Sequence, residues 1–334
     1  MRFSTSTSIF GLRVTAVRCK LTRILRLSFS ALFICTAFAQ VGTCQVIDEL
    51  TAEGRSALKD LTFTPQEVLL VQDKAAKGDA KSQYVLGWMY FTGNSVTKDN
   101  ERALQWMTKA ANQDLRFAQT QTGLMYLASK DVPNNYSLAR EWLLKGAEKN
   151  QADEWNALGV IYSQGLGVEV SGDEAIRCFK KAADLGFDKA EYNLGFQYAT
   201  GKLVPNDFKE AAKWFQLAAK QDHIRATYSL GVMYRDGQGV PQDAAEALRL
   251  FQVVAEKHRF PPAQHNLGAM YYGGKSVPKD LVLAYMWVSL AADAGFEPSK
   301  GLLGTVSEKM TPEQIAEAKE KAQVWTKAHD NLTQ

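Results

Sequence analysis

The sequence predicts an all-α fold, a right-handed α/α solenoid of six stacked helix-turn-helix repeats with capping helices at both ends. Three observations carry this expectation. A glycine recurs at Gly87, Gly123, Gly159, Gly195, Gly231 and Gly268, at intervals of 36 residues and once of 37. A fixed period in this range marks stacked units. Other columns keep step with it: Tyr90, Tyr126, Tyr162, Tyr198, Tyr234 and Tyr271 lie three residues on, and Val96, Val132, Val168, Val204, Val240 and Val277 lie nine on. Alanines fall sixteen and twenty-four residues on, as at Ala211 and Ala219 in the fourth copy. Finally, each copy carries the punctuation of two helices.

The first helix of a copy is read from Leu194, Gly195 and Tyr198, with Leu and Tyr four apart on one face. A glycine inside a helix costs about 1 kcal/mol against alanine, so its recurrence asks for close packing between paired helices. A second glycine (Gly93, Gly165, Gly201, Gly237 or Gly274) suits a left-handed helix end, with Ser129 as the exception. After a short loop, Asp99, Asn135, Ser171, Asp207, Asp243 and Asp280 stand where a second helix needs an N-cap. That helix alternates small and large residues, as in Ala211, Trp214, Phe215, Ala218 and Ala219. No such pair buries its apolar faces alone, so the units must stack.

The pattern A-x-Y-x-L-G-x-x-Y-x-x-G-x-x-V-x-x-D, followed by A-x-x-W-F-x-x-A-A, resembles the Sel-one-like repeat family, relatives of the tetratricopeptide repeats. The resemblance covers residues 79–296 in six copies. It implies a protein-interaction scaffold. It also implies a protein of a kind often exported by bacteria as an adaptor or regulator in envelope complexes.

Taken in order, residues 1–39 hold six basic residues and no acid. An apolar run from Leu27 to Phe38 ends in Ala37-Phe38-Ala39. A basic front, a short apolar centre and A-x-A describe a secretory signal peptide, with a mitochondrial transit peptide as the alternative. The run is too short for a membrane span, so no integral span is expected in the mature chain. Removal of residues 1–39 leaves 33 Lys and Arg against 36 acids, so the formal +3 of the whole chain says nothing about nucleic acid, which is not an expected partner. Residues 40–64 read as a tether, and Cys44 within it sits in a weak lipobox-like setting. Residues 65–78 start at Thr64-Pro65 and mimic the end of a second helix, as an N-terminal capping half-repeat. Repeats then begin near residues 79, 115, 151, 187, 223 and 260. The second drifts most, with Thr122 before its glycine and Gly146 for alanine. Residues 297–330 read as C-terminal capping helices, the last opened by Thr311 with Gln314 in capping-box position.

Chemistry-bearing motifs are thin. Ser56-Ala57-Leu58-Lys59 spells S-x-x-K, but it lies in the tether and lacks the companion motifs of serine acyl enzymes. His223, His258, His265 and His329 show no metal-ligand spacing, and Cys178 takes a place held by Trp in four other copies, as a packing residue. Gly165-Leu166-Gly167 follows a helix rather than a strand, so it is a turn and not a phosphate loop. No catalytic residue, metal or cofactor is expected, and the chain is read as no enzyme.

What remains is a surface. By analogy with tetratricopeptide repeats, the first helices line a concave face that binds a protein or peptide partner. The candidate residues there are Tyr84, Trp88, Phe91, Asn156, Tyr192, Phe196, Arg225, Tyr228, Arg235 and Tyr272. Aromatic residues with Arg are what binding hot spots favour, although the Tyr and apolar positions also suit packing between units. The expected function is an exported interaction scaffold, in the bacterial periplasm or secreted. The alternatives are a cell-envelope hydrolase or a structural subunit of an envelope complex.

Overall fold

A computed structural model describes residues 62–129, 133–147, 152–274 and 277–330, and among them are fifteen α-helices and no strand. The expected signal peptide, Cys44 and Ser56 lie outside the described residues, as does Val132. The chain divides into two compact units, Met1–Leu70 and Val71–Gln334, and the stacked pairs described below belong to the second.

Helix α1 (Pro65–Ala76) opens with a capping box: Thr64 N–H donates to the Glu67 carboxylate at 2.7 Å, and Glu67 N–H to Thr64 Oγ1 at 3.3 Å. Six helix pairs follow: α2 (Ala80–Thr92) with α3 (Asn100–Ala111), α4 (Arg116–Ala128) with α5 (Tyr136–Ala147), and α6 (Ala152–Gln164) with α7 (Gly172–Asp184). Then come α8 (Asp188–Thr200) with α9 (Phe208–Lys220), α10 (Ile224–Asp236) with α11 (Ala244–His258), and α12 (Pro261–Gly273) with α13 (Leu281–Asp293). Each helix packs on its pair-mate and on the next helix in sequence, which is the tandem order of an α/α solenoid. Helices α14 (Glu297–Ser307) and α15 (Pro312–Asp330) both pack against α13.

The recurring glycine does what its spacing predicts. A Cβ on Gly195 would stand 2.6 Å from the Phe215 ring, and one on Gly87 would stand 2.7 Å from Met107 Cγ. In all six copies the obstructing side chain lies twenty residues on, in the paired helix, so the glycine is the notch into which that side chain fits.

The loop between paired helices is closed by two bonds. The N-cap side chain accepts from the second helix, as Asp207 does from Glu210 N–H at 3.0 Å. The cap's own backbone N–H donates to the carbonyl of the column tyrosine, at 2.9–3.1 Å in all six repeats. The tyrosine side chain acts separately, between units. Tyr198 packs on the apolar clusters of both its own and the preceding repeat, and Tyr162 does the same one unit earlier. Gly201 ends α8 at φ 65, whereas Ser129 ends α4 with extended backbone, because a side chain disfavours the left-handed form.

Two irregularities have local causes. The 37-residue interval is absorbed by α11, which runs 15 residues and stops at Arg259, itself left-handed at φ 52. Gly146 faces Glu154 of the next repeat, where a Cβ would come within 3.1 Å of the carboxylate side chain. Glu154 is buried and accepts from Thr120 Oγ1, so the missing methyl makes room for a carboxylate.

At the far end, α13 buries Ala284 to Ala291 without interruption, because α12 covers one side and α14 and α15 another. Trp325 of α15 meets Trp287 edge-on at 5.6 Å, and Thr311 and Gln314 form the expected capping box.

Candidate functional site

The first helices of successive repeats stand side by side, which brings residues about one repeat apart next to one another. Asn193 of α8 donates to Asn156 of α6 at 2.8 Å. Asn266 of α12 donates to the Tyr228 hydroxyl of α10 at 3.2 Å, and Arg235 reaches the Asn266 carbonyl oxygen at 3.4 Å. Arg235 also forms a two-pronged ion pair with Asp236, which holds the guanidinium pKa above its usual value and the carboxyl below its own.

Across α6, α8 and α10 lies a cleft of about 560 Å³ lined by Asn156, Asp188, Lys189, Tyr192, Asn193, Asp222, His223, Ile224, Arg225 and Phe260. Its aromatic wall is layered. Tyr192 stacks on His223 at 4.8 Å with 19° between the rings, and it also meets Phe215 at 5.8 Å. Phe196, one turn on and 38% exposed, extends the wall with its ring 6.3 Å from that of Tyr192.

His223 is the N-cap of α10 and accepts from Ala226 N–H through Nδ1 at 3.2 Å. The corresponding residues at α8, α12 and α14 are Phe187, Phe260 and Phe296, which make no side-chain cap. Burial lowers the His223 pKa below the ordinary 6.5, and the neighbouring Arg225 and Lys189 act in the same direction against Asp188. Asp222 is held below the usual carboxyl range, first by its hydrogen bond from Lys257 and also by His258. Beneath the face, Glu191 is buried and its carboxyl pKa is pushed up, although the bond from Gln221 at 2.9 Å opposes this.

The comparisons with known proteins follow the same periodicity. The model of the Sel1 repeat matches residues 80–115, 116–151, 156–187, 188–223, 224–257 and 261–296. The chain belongs to the Sel1 repeat family. It is similar to the crystal structure of c5321, a protective antigen present in uropathogenic Escherichia coli strains displaying an SLR fold, with 31% identity and a TM-score of 0.67. That match covers 77% of this chain and 56% of the other, so this chain spans little more than half of that relative's length. It is also similar to a Sel1 repeat protein from Oxalobacter formigenes, with 27% identity, a TM-score of 0.57 and coverage of 69% and 88%. No curated protein matches the chain.

Sel1 repeats are scaffolds for protein–protein interaction, and the ten candidate residues of this Sel1 repeat protein fall into five groups. Asn156, Tyr192 and Arg225 meet in the cleft, and Phe196 adjoins it. Tyr228 and Arg235 are joined through Asn266, while Tyr272 lies beneath the ammonium groups of Lys279 and Lys309 at 5.6 and 5.0 Å. Phe91 is half-buried on α2. Tyr84 and Trp88 are 3% and 8% exposed, and the Tyr84 ring meets Phe117 of the next repeat at 6.4 Å, so these two are spent on packing.

Sequence reasoning passed over the junction residues. His223 and Phe260 form part of the cleft from positions that a reading confined to helix faces treats as turns. The signal was present in the column Leu115, Gln151, Phe187, His223, Phe260 and Phe296, which is mostly apolar and holds a histidine where the cleft lies.

Cys178 is fully buried and its thiol is pushed up to about 11 by burial, so it stays protonated near neutral pH. Among the described residues no three His, Cys, Asp or Glu side chains are placed to hold a metal ion, and no helix is long and apolar enough to cross a membrane.

Proposed function

We propose that this chain is an exported, non-enzymatic adaptor that binds another protein or peptide along its first-helix face, centred on the cleft across the third, fourth and fifth repeats. Residues 65–78 and 297–330 are its capping ends, and residues 1–39 direct it to the periplasm or out of the cell. The observation that carries the reading is the convergence of Asn156, Tyr192 and Arg225 on one cleft, with the exposed Phe196 beside it. Aromatic rings and arginine in a recess concentrate binding energy, because they bury large area at small conformational cost.

The test is affinity capture from envelope extract with residues 40–334 and with the triple variant Tyr192→Ala, Phe196→Ala, Arg225→Ala. Circular dichroism and melting must first match. A partner held by the first bait and lost by the second supports the adaptor. Equal retention by both moves the binding site off this face. Detection of the chain in the cytoplasmic fraction alone contradicts export.

A further inference from the structure

The charge of the cleft is unevenly spent. Asp222 is engaged by both Lys257 and His258. Lys189 and Arg225 make no ion pair among the described residues, and Arg225 is exposed. Asp188 is the one other carboxylate in the lining, so two cations stand against one anion. Beside them the wall is apolar, made by Tyr192, Phe260 and Ile224. The Asn193–Asn156 bond uses one amide hydrogen and one acceptor site, which leaves Asn156 an NH2 group and Asn193 an amide oxygen for a ligand. A donor and an acceptor side by side match the two polar groups of a peptide unit.

We infer that the occupant of this cleft is an extended peptide segment in which an acidic residue neighbours an aromatic one. Its ring lies against Tyr192 and Phe260, its carboxylate meets Arg225 with Lys189 close by, and a backbone peptide group meets Asn156 and Asn193. The inference rests on the reading of this face as the partner-binding surface. Charge selects among segments: a basic one meets like charge, and a purely apolar one covers two cations that share the single counter-charge of Asp188.

The test uses the full chain and two fluorescein-labelled, end-capped peptides. One has a Glu-Phe-Glu-Phe core flanked by Gly and Ser, and the other has Lys in place of both Glu. Fluorescence anisotropy is expected to show the acidic probe binding at least about tenfold more tightly than its twin. That preference should shrink as salt rises from about 50 to about 300 mM, because exposed charges are screened. Arg225→Glu, a change at an exposed site, should remove the preference or reverse it, while Tyr192→Ala should weaken both probes. The inference is overturned if neither probe binds, if the Lys twin binds as well, or if Arg225→Glu leaves the ratio unchanged. Should Tyr192→Ala abolish binding while Arg225→Glu does nothing, the acidic specificity falls and the binding face stands. Should neither variant alter binding, both fall.

Discussion

The second and fourth repeats follow one plan with different fidelity. In the fourth, Leu194 precedes the notch glycine, Gly201 closes the first helix in the left-handed form, and Ala218 packs in one apolar cluster with Ala226 of the next unit. In the second, Thr122 stands fully buried in place of the leucine, Ser129 leaves α4 extended, and the Ala–Ala contact becomes Gly146 against Glu154. The difference teaches that departures from a repeat come in matched sets. The Glu154 carboxylate enters the interior where the facing helix has lost a methyl and a hydroxyl from Thr120 reaches it. The notch is common to both: Gly123 meets Leu143 as Gly195 meets Phe215.

The largest effect should come from breaking the notch. Phe215→Ala should cost about 3–5 kcal/mol, and Leu143→Ala in the second repeat about 2–5. Gly195→Ala should cost about 1–3 kcal/mol by overpacking, and should instead stabilise by about 1 kcal/mol when Phe215 is already Ala, because helix propensity then acts without the obstruction. Urea midpoints of the singles and the double measure that coupling, and additive losses would refute the notch. The second repeat offers a sharper contrast. Gly146→Ala should yield no gain in the native background, yet it should stabilise by about 1 kcal/mol when Glu154 is Ala, because helix propensity then acts without the close contact. Equal effects in both backgrounds would separate Gly146 from Glu154. Next come the caps: Asp207→Ala and Asn135→Ala should each cost about 1 kcal/mol, read from melting curves.

The smallest effect at neutral pH, and one confined to the later repeats, is acid sensitivity. The folded pKa of His223 lies below its unfolded value of 6.5, so the unfolded chain takes up the proton more readily. Its stabilising contribution is therefore complete above about pH 6.5 and is lost as pH falls toward the folded value. His265, also lowered by burial, has the same sign. His223→Phe, which copies the residue found at the α8, α12 and α14 starts, should flatten the melting temperature between pH 8 and pH 5.5 and leave the part due to His265. An unchanged slope would remove His223 from the account.

Most of the fold was legible because its determinants are local. A glycine notch, a capping aspartate and a Thr-Pro start each act within a few residues or one helix pair, and periodicity repeats the message six times. The site was legible in part. Asn156, Tyr192 and Arg225 share a helix face that spacing alone selects. Tyr84 occupies the same column as Tyr192, yet it is buried, because exposure depends on what the neighbouring unit places against the ring. No single repeat encodes that. Phe260 and His223 escaped for the complementary reason: a turn residue becomes part of a surface only when adjacent repeats are set side by side. Cys178 shows a third case. In its repeat Trp155 of the first helix packs against the cluster that holds the cysteine, beneath Lys181 at 4.0 Å, so an indole is supplied from another position.

The bond from each N-cap N–H to its own column tyrosine carries a consequence for how such a molecule changes length. Every unit ties its loop with groups that lie inside its own 36 residues, so a copied unit brings its fastening with it. The interval of 37 shows the joint between units taking up one extra residue without disturbing the next tie, which at Asp280 and Tyr271 is again 3.1 Å. A gene encoding this chain can thus gain or lose a whole unit by one in-frame duplication or deletion. The reach of the binding face then changes in fixed steps while every loop stays closed.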